Sequence, residues 1–480
     1  VYIAIDGPIP MGKILQQRNR RHKKIQDDAF IRKLKDKHNI EEKSTFNSNK
    51  ITPGTVFMTK LCNRLKNLIS LNAFSLHIKN PAKKFCVFLS DSNVAGEGEH
   101  KIMNFIKKSK NNPNIVIYGL DADLIILSMT CTSSNIKLIR EPQNTPLEAS
   151  LCDPNSDFVY LDINIYTKSF VSEYQLEAYN IDYILHDIVF VSFLGGNDFV
   201  EPLLTTKIKE QNNFHRLINV YVTILFKMQN HLIVNNKVNS AFFKLFIETI
   251  ASTEDQYVKK KSMKQIVDRD LGNSYEDELE TYYHSLYSSK SNPFHEFYSS
   301  ELNVINYKLP HEVWKRQHYK YYCNISKVSN TMIENYLSSL MWTYKYYTEE
   351  GIPSNHFHYK WRTAPCPSDI LEYITNDTKY INNIRFDKDE HISPIEQLLM
   401  VTPVQHSLLL PWSYHMFFRE NIVPTKFVLD VVKGSKNIYS DPILPEIDQE
   451  YINTIMRTIP VTEIETNRNK IKDNIFCFKV

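Results

Sequence analysis

The sequence predicts an α/β protein with a mainly parallel sheet flanked by helices, followed by a second, mostly α-helical region. Four apolar runs alternate with helical patterns, at residues 1–5, 85–90, 115–120 and 135–140. Strands that alternate with helices favour parallel pairing, with helices covering both faces of the sheet. Beyond about residue 215 the pattern changes to long helical stretches, at residues 217–228, 239–250 and 331–347.

This change of pattern predicts three segments in a chain of 480 residues. Residues 1–215 form the α/β domain, and residues 216–330 form a helical region with a flexible insert near 255–305. Residues 331–480 form a further region that packs on the first domain. The chain opens on Val1, directly inside an apolar run, so we expect a preceding first strand to be missing from it.

Composition restricts the possible functions. The net charge is only +3, so a nucleic-acid partner requires a local basic patch. Seven cysteines without a C-x-x-C pair predict free thiols in a reducing compartment and argue against structural zinc. The sequence has no run of about 18 apolar residues, so we expect no membrane span. We expect an intracellular protein and prefer the cytoplasm to the nucleus, because no convincing basic localisation signal stands out.

Acidic residues follow the predicted strands. Asp6, Asp91 and Asp121 each stand at the carboxyl end of a strand, where ligands of parallel sheets bind. Two glutamates stand in a glycine-rich turn before a helix, and the alternation of a strand allows Asp121 and a second aspartate to face the same way. The candidate metal ligands and catalytic residues are Asp6, Glu97, Glu99, Asp121, Asp123 and Asp198.

Oxygen ligands at this density suit Mg²⁺ or Mn²⁺, and two ions about 3.5–4 Å apart could activate water and stabilise the leaving oxygen of a phosphodiester. The alternative is that these residues are helix caps and turn residues on a solvated edge.

A basic helix is predicted directly after Asp6. Lys13, Gln17, Arg20 and Arg21 fall on one face of it at helical spacing, and their side chains could together hold a terminal phosphate. The alternative is an exposed basic helix without a ligand.

The segment from Tyr344 to Trp361 is dense in aromatic residues, which can stack on unpaired bases or form a core. We favour core packing for it. We expect His100 to be a structural residue.

Several motifs resemble those of the 5′→3′ exoribonuclease family, the XRN enzymes, within the PIN/flap-nuclease-like superfamily. They are Ile5 to Pro8 with Lys13 and Gln16 to Arg21, Phe46 to Thr55, Gly96 to Met103, Tyr118 to Ile125, Leu194 to Phe199, Leu340 to Tyr347, Ala364 to Ile370 and Pro394 to Leu399. The resemblance implies an α/β nuclease domain over residues 1–215. It also implies a Mg²⁺-dependent enzyme that degrades single-stranded RNA with a 5′-monophosphate to mononucleotides.

By matching these motifs, the resemblance implies that the six carboxylates bind the metal ions and that Lys13, Gln17, Arg20 and Arg21 bind the 5′-phosphate. A tight pocket of this kind would refuse a capped or triphosphate end. The family's first strand carries a further aspartate and a histidine, which this sequence does not contain. Two other functions stay open: a catalytically inactive protein that binds RNA 5′ ends or acts as a scaffold, and a structure-specific DNA nuclease.

Overall fold

Two small sheets form the α/β part of the protein, as seen in a computed structural model. It describes residues 1–37, 39–40, 46–71, 85–109, 114–119, 121–131, 135–143, 156–208, 212–267, 305–419, 423–424, 427, 429–430 and 441–479. In the first sheet, β1 (Tyr2–Ala4) pairs in parallel with β2 (Cys86–Ser90), and β10 (Phe476–Lys479) pairs antiparallel with β2. In the second, β3 (Asn114–Tyr118) pairs in parallel with β4 (Asn135–Arg140), and β5 (Val159–Asp162) pairs antiparallel with β4.

All four predicted strands are present, and the mixed α/β class is confirmed. The single, mainly parallel sheet is not seen among the described residues, because the four strands divide between two three-stranded sheets and each sheet carries an antiparallel strand. An apolar run predicts that a strand is buried but carries no information about which strand it pairs with. Among the described residues, four two-residue strands precede β10: β6 (Ile233–Val234) pairs with β7 (Lys237–Val238), and β8 (Leu429–Asp430) pairs with β9 (Asp441–Pro442).

Helices make up most of the remaining described chain. In the first part they are α1 (Met11–Lys37), α2 (Val56–Ser70), α3 (Gly98–Lys108), α4 (Asp123–Met129), α5 (Ile163–Glu173) and α6 (Ile181–Phe193). They continue with α7 (Asn213–Met228), α8 (Ser240–Ser252), α9 (Glu254–Val267), α10 (His311–Cys323), α11 (Asn330–Thr348), α12 (Pro367–Asn376), α13 (Tyr380–Asn383), α14 (Pro394–Val401), α15 (Gln449–Thr458) and α16 (Glu463–Asn469). Three 3₁₀ segments lie at Ser48–Lys50, Val404–Leu409 and Trp412–Arg419.

A turn separates α5 from α6. Gln175 lies between them with a φ of 56°, outside the helical region. Asn180 then begins α6, because its side chain accepts a hydrogen bond from the Asp182 backbone N–H. The cap adds a start signal that apolar periodicity does not show.

The two halves of the chain share contacts. The backbone N–H of Ile9 donates to Gln397 Oε1 at 3.0 Å, and the N–H of Met11 donates to the Asn355 carbonyl at 2.8 Å. Strand β10, near the end of the chain, completes the first sheet beside β2. These contacts hold the start of α1, which carries the basic residues, against the C-terminal half.

The aromatic segment packs into the core, as expected. Tyr344, Tyr346 and Tyr347 on α11 are buried, and Phe357 packs on the rings of Trp342 and Phe386. These rings therefore contribute packing energy to the helical half of the protein.

Three other expectations meet the structure only in part. Of the insert predicted near 255–305, residues 255–267 belong to α9 and residues 268–304 lie outside the described residues. The six cysteines that the structure describes are free thiols, as predicted, and Cys152 lies outside the described residues. None of the described helices combines the length and apolar character needed to cross a bilayer.

Candidate active site

The turn before α3 brings β1 and its aspartate to the start of that helix. Asp6, just after β1, accepts a hydrogen bond from the Gly98 backbone N–H at 2.7 Å, so it caps α3 from a neighbouring strand. A Cβ on Gly98 would lie 3.2 Å from Asp6 Oδ1, and one on Gly7 would lie 1.7 Å from the Val94 carbonyl oxygen. Glycine at both positions therefore allows the strand end and the turn to approach this closely.

Glu97 occupies the N-cap position of α3 without using its side chain as a cap. Its carboxylate is buried and contacts Lys13 Nζ at 2.6 Å, and it accepts a hydrogen bond from the Tyr346 hydroxyl at 3.1 Å. Burial raises the pKa of Glu97, against the lowering effect of Lys13. Because Asp6 supplies the cap instead, Glu97 is free to point into the site.

Glu99 interacts with Glu97 and with two aspartates at the start of α4, Asp121 and Asp123. Burial, with the charges of Glu97 and Asp121, raises the pKa of Glu99 to about 9. Burial, with the charge of Asp121 first among its neighbours, also raises the pKa of Asp123. These carboxylates lie near enough to one another to repel when ionised.

The expectation that Asp121 and Asp123 alternate along a strand is wrong. Strand β3 ends at Tyr118, and Asp123 is the first residue of α4. Asp121 Oδ1 accepts a hydrogen bond from the Asp123 backbone N–H at 3.1 Å, as aspartates do at turns and helix starts. The two carboxylates are thus brought together by a turn and not by the pleat of a strand.

Lys13 lies between two carboxylates. Its Nζ is 2.6 Å from Glu97 Oε2 and 2.5 Å from Asp198 Oδ2, and its side chain is 9% exposed. Burial acts to lower the pKa of Lys13, but the charges of Glu97 and Asp198 outweigh it and the pKa is raised. Gln16 also donates a hydrogen bond to Asp198. Lys13 therefore links α1 to both α3 and the turn that carries Asp198.

The next turns of α1 carry two adjacent arginines, one of which has an unpartnered donor nitrogen. Arg21 donates from Nη2 to Thr52 Oγ1 at 2.8 Å, whereas its buried Nη1 has no hydrogen-bond partner among the described residues. Burial, with the charge of Arg20, lowers the pKa of Arg21 to about 10. Arg20 donates to Gln16 and lies 3.9 Å from Asp198. Two adjacent guanidiniums with an unpartnered buried nitrogen form a site that an anion would stabilise.

A cavity of about 410 Å³ joins the acidic and basic groups. Its lining contains four predicted carboxylates and all four predicted basic-pocket residues, namely Asp6, Glu97, Glu99, Asp121, Lys13, Gln17, Arg20 and Arg21. The other two carboxylates adjoin it: Asp198 contacts Lys13, and its charge and that of Asp121 act on Asp123. The residues predicted from separate parts of the sequence therefore meet at one place.

Three residues that line the cavity were not predicted as site residues: Lys24, Ser48 and Asn49. Lys24 continues the spacing of the basic face of α1 and could have been found by extending it. Asn49 also contacts His406, with 2.9 Å between Asn49 Nδ2 and His406 Nδ1. Nothing in the local sequence shows that contact, because the two residues are 357 positions apart.

Asp91 does not join the cavity lining, although it follows a strand as Asp6 does. It is buried and its Oδ2 contacts Lys66 Nζ at 2.5 Å, while its Oδ1 accepts from the Asn93 backbone N–H. His100 is buried and stacks on Tyr346 with 3.7 Å between ring centroids. Its ring has ligand atoms within 4.8 Å of those of Glu97 and Glu99, and burial lowers its pKa.

The donor set fits a hard divalent cation. Carboxylate oxygens dominate it, and burial, followed by repulsion from neighbouring carboxylates, raises the pKa values of Glu97, Glu99 and Asp123. A bound divalent cation would favour the ionised form of all three. Mg²⁺ and Mn²⁺ take oxygen ligands of this type.

Comparison with known proteins identifies two family regions in the chain. The region described as “XRN 5'-3' exonuclease N-terminus” matches residues 1–142, and the “Xrn1 helical domain” matches residues 178–293 and 289–480.

The chain is 25% identical over 536 residues to “5'-3' exoribonuclease 1” of Homo sapiens, covering 99% of this chain and 30% of that protein. It is 26% identical over 579 residues to “5'-3' exoribonuclease 2 homolog” of Drosophila melanogaster, covering 99% of this chain and 62% of that protein. It is 30% identical over 306 residues to “5'-3' exoribonuclease 2” of Kluyveromyces lactis, covering 55% of this chain and 30% of that protein. The chain thus spans less than two thirds of the length of each of these relatives.

Proposed function

This chain belongs to the XRN 5′-3′ exonuclease family, and on that premise we propose that it is a 5′→3′ exoribonuclease. It hydrolyses single-stranded RNA that carries a 5′-monophosphate and releases mononucleotides. The observation that carries the proposal is a cavity lined both by carboxylates and by the basic face of α1. The proposal extends to the domain organisation: the chain divides into the three segments predicted from the sequence, and its two small sheets adopt a PIN/flap-nuclease-like arrangement.

The basic wall binds the 5′ end. Arg21 offers its unpartnered Nη1 and Arg20 offers a second guanidinium, so together they match the charge of about −2 on a phosphate monoester near neutral pH. Gln17, one turn earlier on α1, adds an amide. Because these groups lie one to two helical turns from Lys13, the 5′-phosphate is held a fixed distance from the carboxylates, and the first phosphodiester faces them.

The carboxylates hold the metal. The proposed ligands of two Mg²⁺ or Mn²⁺ ions are Asp6, Glu97, Glu99, Asp121, Asp123 and Asp198. When bound, such cations lower the pKa of a coordinated water and stabilise the oxyanion of the leaving group. The chain's own contribution is to orient these ligands: the Tyr346 hydroxyl holds Glu97, the Tyr347 hydroxyl holds Asp123, and Lys13 holds Asp198.

The test is degradation of 5′-monophosphate RNA in the presence of Mg²⁺. Glu97→Gln and Asp121→Asn should each lower the rate by about 100-fold or more, because each removes a ligand charge. Asp182→Asn, at an exposed aspartate in the first turn of α6, is the matched control and should keep the wild-type rate.

Two results would contradict the proposal. Full activity in both cavity variants would refute the assigned roles, and RNA binding without any product would support the RNA 5′-end binding protein or scaffold instead. Running the same assay on single-stranded DNA and on flap DNA distinguishes an RNA enzyme from a structure-specific DNA nuclease.

A further inference from the structure

A threonine from a separate segment of the chain contacts one of the two arginines of the cavity. The segment from Phe46 to Thr55 lines the cavity through Ser48 and Asn49, but none of its residues has a role in the proposed function. Thr52 of this segment is 1% exposed, and its Oγ1 accepts a hydrogen bond from Arg21 Nη2 at 2.8 Å. The segment therefore reaches the basic face of α1 through the Thr52 hydroxyl.

The single proton of the Thr52 hydroxyl has another partner. Oγ1 donates it to the Asn49 carbonyl oxygen at 2.7 Å, so only the lone pairs of Oγ1 remain for Arg21. A buried hydroxyl that donates to a carbonyl and accepts from a cation is fixed in its rotation. Thr52 therefore offers Arg21 an acceptor in one defined direction.

The position of Thr52 is set by contacts with the C-terminal half of the chain. Arg468 Nε donates to the Gly54 carbonyl oxygen at 2.8 Å. Gly54 has a φ of 83°, and a Cβ there would lie 2.9 Å from the backbone of Pro394, so the segment packs directly on the start of α14. These contacts do not involve Arg21, and the fold therefore places the hydroxyl independently of the arginine that it holds.

The two arginines are held in different ways. The side chain of Arg20 is 63% exposed and donates to Gln16 on the same helix. Arg21 has a buried Nη1 without a hydrogen-bond partner among the described residues. Because a guanidinium is planar, fixing Nη2 also fixes the direction in which Nη1 points. Thr52 thus sets the orientation of the nitrogen that the proposed function assigns to the 5′-phosphate.

Resting on the proposed exonuclease function, we propose that Thr52 is a positioning residue for recognition of the 5′-phosphate. Thr52 orients Arg21, and Arg21 Nη1 donates to a phosphate oxygen. Without the hydroxyl, Nη2 would lose its acceptor in a buried place, and the guanidinium would turn to reach another one. The fit to the phosphate is then lost, whereas contacts with the rest of the RNA are kept. Thr52 therefore contributes to the preference for a phosphorylated end over a hydroxyl end.

The experiment measures equilibrium binding of two RNAs of one sequence, with a 5′-monophosphate or a 5′-hydroxyl end. Each RNA carries a 3′ fluorophore, and anisotropy is followed in EDTA so that binding is separated from cleavage. Thr52→Val, which removes the hydroxyl at a similar shape, should weaken binding of the phosphate RNA by about tenfold and change the hydroxyl RNA by less than about twofold. Thr52→Ser keeps the hydroxyl and should bind both RNAs within about threefold of the wild type.

Thr55→Val is the matched control within the same segment. The Thr55 hydroxyl is also buried, donates to the Lys50 carbonyl oxygen at 2.7 Å and accepts from the Met58 backbone N–H at 3.2 Å. It thus stabilises the segment and the start of α2 through groups other than Arg21. Thr55→Val should lower the stability of the protein and leave the ratio of the two RNA affinities within about twofold of the wild type.

A double variant separates positioning from a general structural role. Arg21→Gln removes the group through which Thr52 acts, so adding Thr52→Val to it should change the affinity for the phosphate RNA by less than about twofold. A further tenfold loss in this background would overturn the inference, because it would show that Thr52 acts independently of Arg21. If Thr52→Val does not fold, Thr52→Ala, which also lacks the hydroxyl, takes its place with the same expected results.

Three other outcomes would also overturn the inference. These are an unchanged ratio of affinities in Thr52→Val, an equal fall of that ratio in Thr55→Val, and a wild type that binds both RNAs equally. Failure of the exonuclease proposal is a different result, namely that the wild type does not cut the phosphate RNA with Mg²⁺. The binding experiment still decides the role of Thr52 in that case, since it does not depend on cleavage.

Discussion

Replacing Lys13 by methionine tests whether this lysine balances the carboxylates of the cavity. Its Nζ contacts Glu97 and Asp198 at 2.6 and 2.5 Å, and the Glu97 side chain is 5% exposed. Removing one partner of a buried ion pair leaves an uncompensated charge and costs about 3–5 kcal/mol. Because Asp198 is 24% exposed and partly screened by water, we expect the lower end, about 3 kcal/mol of the free energy of unfolding.

The divalent cation should change that loss. If the carboxylates bind Mg²⁺, the ion replaces the missing positive charge and Lys13→Met should regain much of its stability when Mg²⁺ replaces EDTA. The assay is urea unfolding followed by fluorescence in both conditions. Lys66→Met is the matched control, because it breaks the comparable Lys66–Asp91 pair at 2.5 Å outside the cavity lining. Its loss should not respond to Mg²⁺.

Two results would refute this reasoning. A Lys13→Met variant as stable as the wild type in EDTA would show that the lysine does not balance the cluster. An equal loss with and without Mg²⁺ would show that no cation binds beside it.

Three other changes have defined outcomes. Gly7→Ala should destabilise the protein by about 3 kcal/mol or more in urea unfolding, since the added Cβ would lie 1.7 Å from the Val94 carbonyl oxygen; wild-type stability would contradict the tight turn. Tyr346→Phe should lower the rate on RNA by about tenfold with a stability loss near 1 kcal/mol, because Glu97 loses the hydroxyl that holds it; an unchanged rate would show that this hydrogen bond does not orient the carboxylate. Burial lowers the pKa of His22 to about 4, below the unfolded value near 6.5. As the pH falls from 6.5 to 4, the unfolded chain binds a proton that the buried ring does not, so the free energy of unfolding decreases. In urea unfolding, the loss of free energy of unfolding between pH 7 and pH 4 should be about 3 kcal/mol smaller in His22→Leu than in the wild type. An identical loss in both proteins would contradict a buried neutral ring.

Much of the fold could be predicted from local patterns. The apolar runs predicted β1 to β4, and helical periodicity predicted α7, α8 and α11 close to their observed bounds. Strand pairing could not be predicted, because an apolar run shows burial and not its partner. Strand β10 joins β2 from about 390 residues away, a contact that no local pattern contains.

The sequence by itself determined which groups carry the chemistry: carboxylates in short motifs, and cations at helical spacing on α1. Helical spacing is sufficient for a face such as that of Lys13 and Gln17, because residues three, four and seven apart must lie on the same side. Only the tertiary structure decided which acid joins the cavity. Asp6 caps α3 and reaches the site, whereas Asp91, at the end of the neighbouring strand, is held by Lys66. The position of a carboxylate depends on whichever donor folding brings within hydrogen-bond distance, and such donors come from residues far away in the chain.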